Sequence, residues 1–243
     1  MKPGTLPAGN SAATYNHMNH ILDNPAFNAL NTGNKTLSKG TEKAKYFPAE
    51  ISPFSGLAEN TSENFNTLYE VAPENTVFGF VSAELIAVPA PWNVLQRMDV
   101  LQMVCETPAR DAAATEPVIA LGDEHIPAML ALTKLTNPGP FAQRTIDFGH
   151  YRGVFDGDQL VSMAGQRMNP TPYAEISAVC THPDYLGRGY SAQLILNQVQ
   201  RIKAAGEIPF LHVLSSNERA IKLYRSLGFV TRKEISIYII KKD

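Results

Sequence analysis

Apolar residues recur at helical spacing in the last third of the chain. A helix is predicted from about Gly189 to Ala205, with Gly206 as its C-terminal stop. A second helix is predicted in NERAIKLYRSLGF, where Gly228 follows the last apolar position. Its apolar stripe follows i, i+3, i+4 and i+7 spacing: Ala220, Leu223, Tyr224 and Leu227.

Runs rich in β-branched and aromatic residues predict strands between the helices. VIAL, YAEISAVCT, IPFLHVL and EISIYII are such runs, and residues 151–168 form a predicted hairpin about Asp156-Gly157-Asp158. Asp123 is predicted to cap a further helix that has Pro127 in its first turn and is stopped by NPGPF. The order βαββ, then βαβαβ, predicts a mixed α/β fold with helices on the faces of one sheet.

The first part of the chain has a weaker pattern. NPAFNAL and SENFNTLYEV have helical spacing, TVFGFVSAELIAV resembles a strand, and YFPAEISPF is irregular. Residues 107–117 are small, polar and Pro-bounded, which is typical of a linker. We therefore expect a flexible polar tail over 1–20, a smaller α+β region over 21–106 and a main domain over 118–243.

Composition excludes several classes of function. The 243 residues carry a formal net charge of −2 and no basic block, so nucleic acid is not an expected partner. No apolar run approaches the roughly 18 residues that a membrane helix needs, and the N-terminus has no signal-peptide core. Two distant cysteines and scattered histidines predict neither a disulfide framework nor a metal site. We expect a cytoplasmic protein.

Two glycines, Gly187 and Gly189, stand just before a predicted helix. A glycine-rich turn that opens a helix binds anions, since backbone N–H groups and the helix dipole favour negative charge. A plain tight turn is the alternative. A Walker loop is excluded because no Gly-Lys-Ser/Thr follows, and a dinucleotide fingerprint fits poorly because the turn lies near the end of the chain.

From Glu175 to Phe229 the chain resembles the GCN5-related N-acetyltransferase superfamily. The motifs that carry the resemblance are EISAVCTHPDY, LGRGYS, FLHVLSSN and NERAIKLYRSLGF, and the upstream stretch from ALTKLTNPGPF to SMAGQR is similar to the FR47-like branch. Leu186 stands where the family has Gln or Arg, and Ser191 where it has Gly or Ala. The resemblance implies a mixed, mostly antiparallel twisted sheet flanked by helices.

The resemblance also implies acetyl-CoA as co-substrate, with no metal. Its pantetheine arm would run between two splayed strands, and its pyrophosphate would meet the glycine turn. Arg188 would add a charged contact, with a solvated Arg as the alternative, and Ser191 would add a hydrogen-bond donor. The expected cofactor-binding residues are Val179, Cys180, Thr181, Leu186, Gly187, Arg188, Gly189, Tyr190, Ser191 and Asn217.

Two residues are catalytic candidates in the attack of a primary amine on the thioester. The spacing of Glu175 from Gly189 matches that of a catalytic glutamate in the family, and strand alternation predicts Glu175, Ser177 and Val179 on one face. A structural hydrogen bond is the alternative role for Glu175. Tyr224 occupies the position of the general-acid tyrosine, and a core tyrosine with a satisfied hydroxyl is its alternative.

The acceptor is expected to be a small-molecule or peptide amine, with Phe141 and Arg144 contributing to its pocket. Residues 21–106 would add a wall to that pocket or form a homodimer contact. His212 is interpreted as a packed core histidine, and Cys180 as a small buried apolar residue rather than an acetyl carrier. The expected function is acetyl-CoA-dependent N-acetyl transfer. A non-catalytic acyl-CoA-binding module and transfer of another acyl group are the alternatives.

Overall fold

A computed structural model describes residues 20–109 and 116–242. Helical segments alternate with strands as the sequence predicts, with the same stops after the last two helices. The helices are α1 (Pro25–Asn31), α2 (Ser62–Val71), α3 (Ile126–Thr136), α4 (Tyr190–Ala204) and α5 (Glu218–Ser226). The strands are β1 (Lys39–Gly40), β2 (Ala44–Tyr46), β3 (Phe54–Leu57), β4 (Val77–Ser82), β5 (Asn93–Val104), β6 (Ile119–Ala120), β7 (Arg152–Asp156), β8 (Gln159–Gln166), β9 (Tyr173–Thr181), β10 (Ile208–Leu214) and β11 (Val230–Lys241).

The described strands join into one sheet of order β1-β2-β3-β4-β11-β5-β10-β9-β8-β7-β6. Most neighbours pair antiparallel, while β3–β4 and β9–β10 pair in parallel. The predicted fold class, a mixed and mostly antiparallel twisted sheet flanked by helices, is confirmed. No helix in the described ranges combines the length and apolar content that crossing a membrane requires.

Strand β5 is the main element that the pattern along the chain did not predict. Its first half is exposed, and only the residues from Val100 to Val104 are largely buried, so the segment shows no regular alternation. It pairs with β11 along nearly its whole length and with β10 at its buried end. A strand of residues 21–106 therefore lies between two strands of residues 118–243, and the division of the chain into domains stays a prediction.

Three local predictions need correction. The strand predicted over TVFGFVSAELIAV ends at Ser82. Asp123 does not cap α3, because it opens a short 3-10 helix in which the Gly122 N–H donates to Nδ1 of His125 at 2.9 Å. The stretch YFPAEISPF is not wholly irregular, since it contains the end of β2 and the start of β3.

Strands β9 and β10 separate part-way along their length. They pair in parallel only from Tyr173 to Glu175, opposite Ile208 to Phe210. Farther along β9, Ala178 has a left-handed φ of 52° at a bulge against β8. The strands diverge beyond the paired segment, and their backbones leave a gap in the sheet.

The bulge also changes which way the side chains of β9 face. Ile176 packs with residues of α4, whereas Cys180 packs on the opposite side with Met129 and Leu132 of α3. Val179 packs against the α4 side. The prediction that Glu175, Ser177 and Val179 share one face is therefore wrong, because a bulge inserts one residue into the alternation.

Candidate active site

A cavity of about 1070 Å³ occupies the gap between β9 and β10. Its walls include β9, the glycine turn, the first turn of α4, and α5. They also include the loop after α3 and strands β3, β4, β5 and β11. Of the predicted cofactor-binding residues, the walls include Val179, Cys180, Thr181, Leu186, Gly187, Gly189, Tyr190, Ser191 and Asn217.

The glycine turn presents free backbone donors to this cavity. Gly187 and Gly189 have φ of 80° and 85°, a conformation that glycine adopts without strain. A Cβ on either would meet nothing within 4 Å, so the requirement is conformational. Gly189 is the N-cap of α4 without a side-chain cap, and within the described residues the N–H groups of 187–189 have no hydrogen-bond partner.

Ser191 does not supply the extra donor that its place in the turn suggested. Its hydroxyl lies 2.8 Å from the Thr181 hydroxyl, which lies 2.7 Å from that of Ser162, and Ser162 donates to the Cys180 carbonyl at 2.9 Å. Each hydroxyl has one proton, so the chain runs from Ser191 through Thr181 and Ser162 to that carbonyl. The proton of Ser191 ties the first turn of α4 to β9.

Arg188 and Asn217 have different relations to the cavity. The Arg188 guanidinium lies over the Tyr185 ring at 4.5 Å, and Arg188 does not line the walls. Asn217 caps α5, where its Oδ1 accepts a hydrogen bond from the Ala220 N–H at 3.1 Å. Within the described part of the chain, its side-chain NH₂ has no protein partner. It remains able to donate to a ligand.

Tyr224 lines the same cavity, half-buried on α5, with its ring 5.9 Å from that of Phe229. Its hydroxyl makes no hydrogen bond to any described residue, unlike a core tyrosine whose hydroxyl is satisfied. Burial raises the pKa of Tyr224 to about 12. The phenol therefore keeps its proton throughout the neutral range.

Glu175 is fully buried and is held in an ion cluster at the back of the cavity wall. Arg167 donates to both carboxylate oxygens at 2.9 and 2.5 Å, His212 Nδ1 lies 2.7 Å from one of them, and the Met168 N–H donates at 3.2 Å. Burial alone would raise the pKa of Glu175, but the charge of Arg167 and the contact with His212 lower it to about 2. A carboxylate with this pKa and no free lone pair facing solvent is a poor proton acceptor.

The proton positions on His212 follow from Gln102. Arg232 donates to Oε1 of Gln102 at 2.5 Å, so the amide nitrogen of Gln102 faces Nε2 of His212 at 3.0 Å. His212 therefore accepts at Nε2 and donates from Nδ1 to Glu175. Both ring nitrogens are occupied, as expected of a packed histidine, although His212 also forms part of the cavity wall.

Comparison with known proteins identifies the family of this chain. The family model for FR47-like proteins matches residues 151–237. The N-alpha-acetyltransferase RimI of Mycobacterium tuberculosis is 31% identical over 124 residues, which are 50% of this chain and 72% of that protein. The chain belongs to the GCN5-related N-acetyltransferase superfamily.

Two further matches extend the comparison. A crystal structure of a GNAT-family acetyltransferase from Novosphingobium aromaticivorans is 33% identical, with a TM-score of 0.85, and the match covers 93% of this chain and 100% of that one. The uncharacterized protein ML0378 of Mycobacterium leprae is 36% identical over 100 residues, and this chain spans 27% of its length. As a member of this superfamily, the chain is an N-acetyltransferase whose acceptor carries an amine, and acetyltransferases of the superfamily use acetyl-CoA.

The two predicted acceptor residues lie outside the cavity of this acetyltransferase. Phe141 packs edge-on against Tyr151 at 5.8 Å, and half-buried Arg144 pairs with Asp147 and Asp123. The loop residues just before them, 136–140, do line the cavity. Residues 21–106 do contribute to the cavity wall, one of the two roles expected of them, through Phe54, Gly79, Met98 and Val100. Sequence reasoning named none of these residues and did not anticipate Ile237 and Ile239 of β11.

Neither cysteine shows features of a nucleophile. Cys180 is buried, and burial raises the pKa of its thiol to about 11, so the thiolate is scarce at neutral pH. Burial also raises the pKa of Cys105, which packs in the core beside α4. In the part of the chain that the structure describes, no cluster of three His, Cys, Asp or Glu side chains could hold a metal ion.

Proposed function

We propose that this protein transfers the acetyl group of acetyl-CoA to a primary amine. The observation that carries the proposal is the unpartnered hydroxyl of Tyr224, which lines the same cavity as the free amides of the glycine turn. When bound, acetyl-CoA supplies the thioester carbon that the amine attacks, and its sulfur leaves as a thiolate that takes up a proton. Tyr224 is the donor of that proton or of a hydrogen bond to the sulfur.

The residues present suit the co-substrate. The amides of 187–189 and the uncapped start of α4 would bind the pyrophosphate. Beyond the paired segment, the β9 backbone is open toward β10, so Val179 and Thr181 can pair with the amides of the pantetheine arm as an added half-strand does. The NH₂ group of Asn217 adds one donor. Leu186 does not weaken this site, since the contacts are made by backbone groups.

We propose a positioning role for Glu175 in place of the base role that its spacing suggested. Its carboxylate holds Arg167 and His212, both of which line the cavity. Because no described wall residue is a free base, the amine would enter neutral and release its proton to water after attack. We therefore expect the rate of transfer to be proportional to the fraction of the acceptor amine that is neutral.

Replacing Tyr224 by Phe tests the proposal. We expect kcat/KM for acetyl transfer to fall about 10² to 10⁴-fold, the usual contribution of a positioned proton donor, while acetyl-CoA affinity is retained. Thiol release and calorimetry measure the two quantities. Tyr185→Phe is the control, because Tyr185 also lines the cavity but its hydroxyl donates to Asp156 at 2.6 Å. Equal activity in Tyr224→Phe and wild type would contradict the role of this hydroxyl.

Replacing Gly189 by Trp tests the binding site separately. We expect acetyl-CoA binding to be lost in calorimetry, because the side chain would fill the space in front of the free amides. Gly206→Trp is the matched control, since Gly206 also has a positive φ and open space but lies at the other end of α4. Retained binding in Gly189→Trp would contradict the glycine turn as the pyrophosphate site. Binding of acetyl-CoA to the wild type without turnover of any amine would favour an acyl-CoA-binding module.

A further inference from the structure

The part of the cavity wall formed by strands β3, β4, β5 and β11 is apolar. In this wall the Phe54 ring lies so close to Gly79 that a Cβ there would be 2.9 Å from it. Such a surface gains free energy by covering an apolar group and not by solvating a charged one. The side chains involved are Phe54, Met98, Val100, Ile237 and Ile239.

No Asp or Glu is found among the described residues that line the cavity, whereas Arg167 and Arg219 both are. Glu175 contacts the wall residues Arg167 and His212 but is itself fully buried, and its charge is matched by Arg167. An ammonium group entering here would lose its hydration without gaining a counter-ion. The wall therefore selects an amine that is readily neutral.

This selection distinguishes amine classes. An α-amino group has a pKa of roughly 7.7 to 8.0, and a lysine side chain one of roughly 10.4. At pH 8 the neutral fraction of the α-amine exceeds that of the lysine amine about 10²-fold. An α-amine therefore suits a wall without a carboxylate.

Arg167 supplies a strong set of hydrogen-bond donors beside this apolar wall. Its Nε and Nη2 bind Glu175, its side chain is 11% exposed, and its guanidinium lies over the Phe54 ring at 4.6 Å. Within the described residues its Nη1 has no hydrogen-bond partner. Because Glu175 balances the charge of Arg167, a neutral carbonyl oxygen is a suitable partner for Nη1.

From these three features we infer that the acceptor is an α-aminoacyl group with an apolar side chain, presented by an amino acid amide or a peptide N-terminus. Arg167 would be a specificity-determining residue that binds the carbonyl oxygen next to the amine. The inference rests on the proposed function, because it assigns the substrate class of the same cavity.

Four acceptors separate the features. Leucinamide has the α-amine, the carbonyl and an apolar side chain; 3-methylbutylamine lacks the carbonyl and has an ordinary alkyl amine; glycinamide lacks the side chain; and Nα-acetyl-lysinamide offers a lysine amine. Thiol release at saturating acetyl-CoA and pH 8 gives kcat/KM for each. We expect kcat/KM for leucinamide to exceed that for Nα-acetyl-lysinamide about 10²-fold and that for 3-methylbutylamine by at least as much, in line with the neutral fractions. We expect it to exceed that for glycinamide at least about tenfold.

Two variants test the residues. Met98→Glu places a carboxylate on the half-buried wall of β5, and we expect the ratio of kcat/KM for Nα-acetyl-lysinamide over leucinamide to rise at least about tenfold, with Met98→Gln as the uncharged control. Arg167→Lys keeps a positive charge against Glu175 but loses the planar fork. We expect KM for leucinamide to rise about tenfold while that for 3-methylbutylamine is unchanged, a difference that general loosening of the fold would not produce.

The outcomes distinguish this inference from the proposed function. Turnover that favours Nα-acetyl-lysinamide, or equal effects of Arg167→Lys on acceptors with and without a carbonyl, overturns the inference and leaves acetyl transfer standing. Absence of thiol release from every amine, with acetyl-CoA bound in calorimetry, overturns the proposed function and the inference with it.

Discussion

The surroundings of Glu175 determine what its carboxylate can do. The strand pattern and the spacing from Gly189 could not show that Arg167, eight positions earlier, and His212, on another strand, both bind it. Both oxygens are occupied, and the ordinary pKa of 4.5 falls to about 2 in the folded protein. At the residue scale, then, an acid at a catalytic spacing forms a structural ion cluster behind the cavity wall.

This cluster makes a prediction about stability. Glu175→Gln leaves the buried guanidinium of Arg167 without a counter-ion, and we expect the free energy of unfolding at pH 7 to fall by about 3 to 5 kcal/mol in urea titrations. Glu63→Gln, which breaks a solvent-exposed pair with Lys43, should leave the free energy of unfolding almost unchanged.

The pH dependence of the stability difference between wild type and Glu175→Gln follows from the direction of the pKa shift of Glu175. Because the folded pKa of Glu175 lies below the unfolded value, its stabilising contribution is complete above about pH 4.5 and is lost as the pH falls toward 2. The difference in free energy of unfolding between wild type and Glu175→Gln should therefore become smaller as the pH falls from about 4.5 toward 2. A constant difference would show that the carboxylate charge is not the stabilising feature.

At the scale of elements, the packing of α1 on β3 fixes part of the apolar cavity wall. A Cβ on Gly56 would lie 2.4 Å from the backbone nitrogen of Phe27, so the helix and strand backbones are in direct contact. Phe54 is on the same strand and lines the cavity. The position of this ring therefore depends on a backbone contact outside the site.

Gly56→Ala should move β3 away from α1. We expect a loss of about 1 to 3 kcal/mol in the free energy of unfolding, because backbone atoms cannot yield as a flexible side chain can. KM for the acceptor should rise while calorimetry shows unchanged acetyl-CoA binding. Gly122→Ala is the control, since the nearest atom there is the mobile carboxylate of Glu124 at 2.6 Å. Equal stability of the two variants would argue against the tight contact.

At the scale of the whole molecule, residues 20–109 are part of the sheet that holds the site. Strand β5 bridges β11 and β10, and Gln102 on β5 hydrogen-bonds to Leu22, His212 and Arg232. Asp23 in turn pairs with Arg232 at 2.5 Å. The N-terminal region thus supports the back of the cavity as well as its apolar wall.

This integration predicts how the chain behaves when it is divided. Residues 116–243 produced alone should lack a cooperative thermal transition by circular dichroism, because β10 and β11 lose the strand between them. Co-expression with residues 1–109 should restore a complex that elutes as one species and unfolds cooperatively. A cooperative transition of 116–243 alone, near that of the intact chain, would instead favour an independent domain.

The sequence by itself determined the elements whose signals are local. The stripe of α5, the stop at Gly206, the hairpin at Asp156-Gly157-Asp158 and the glycine turn before α4 each depend on residues within a few positions of one another. The family motifs are equally local, since the turn and the strand before it are contiguous in sequence. Together these signals were sufficient for the fold class and the family.

Only the tertiary structure decided how the site is completed. The wall made by Phe54, Met98 and Ile237 joins strands that are far apart in sequence, and no periodic pattern along one segment records which strands become neighbours. The bulge at Ala178 redirected Val179, and Phe141 and Arg144 lie outside the cavity. Local propensity sets the elements, whereas side-chain environments, and with them the pKa of Glu175 and the shape of the cavity, arise from contacts between distant segments.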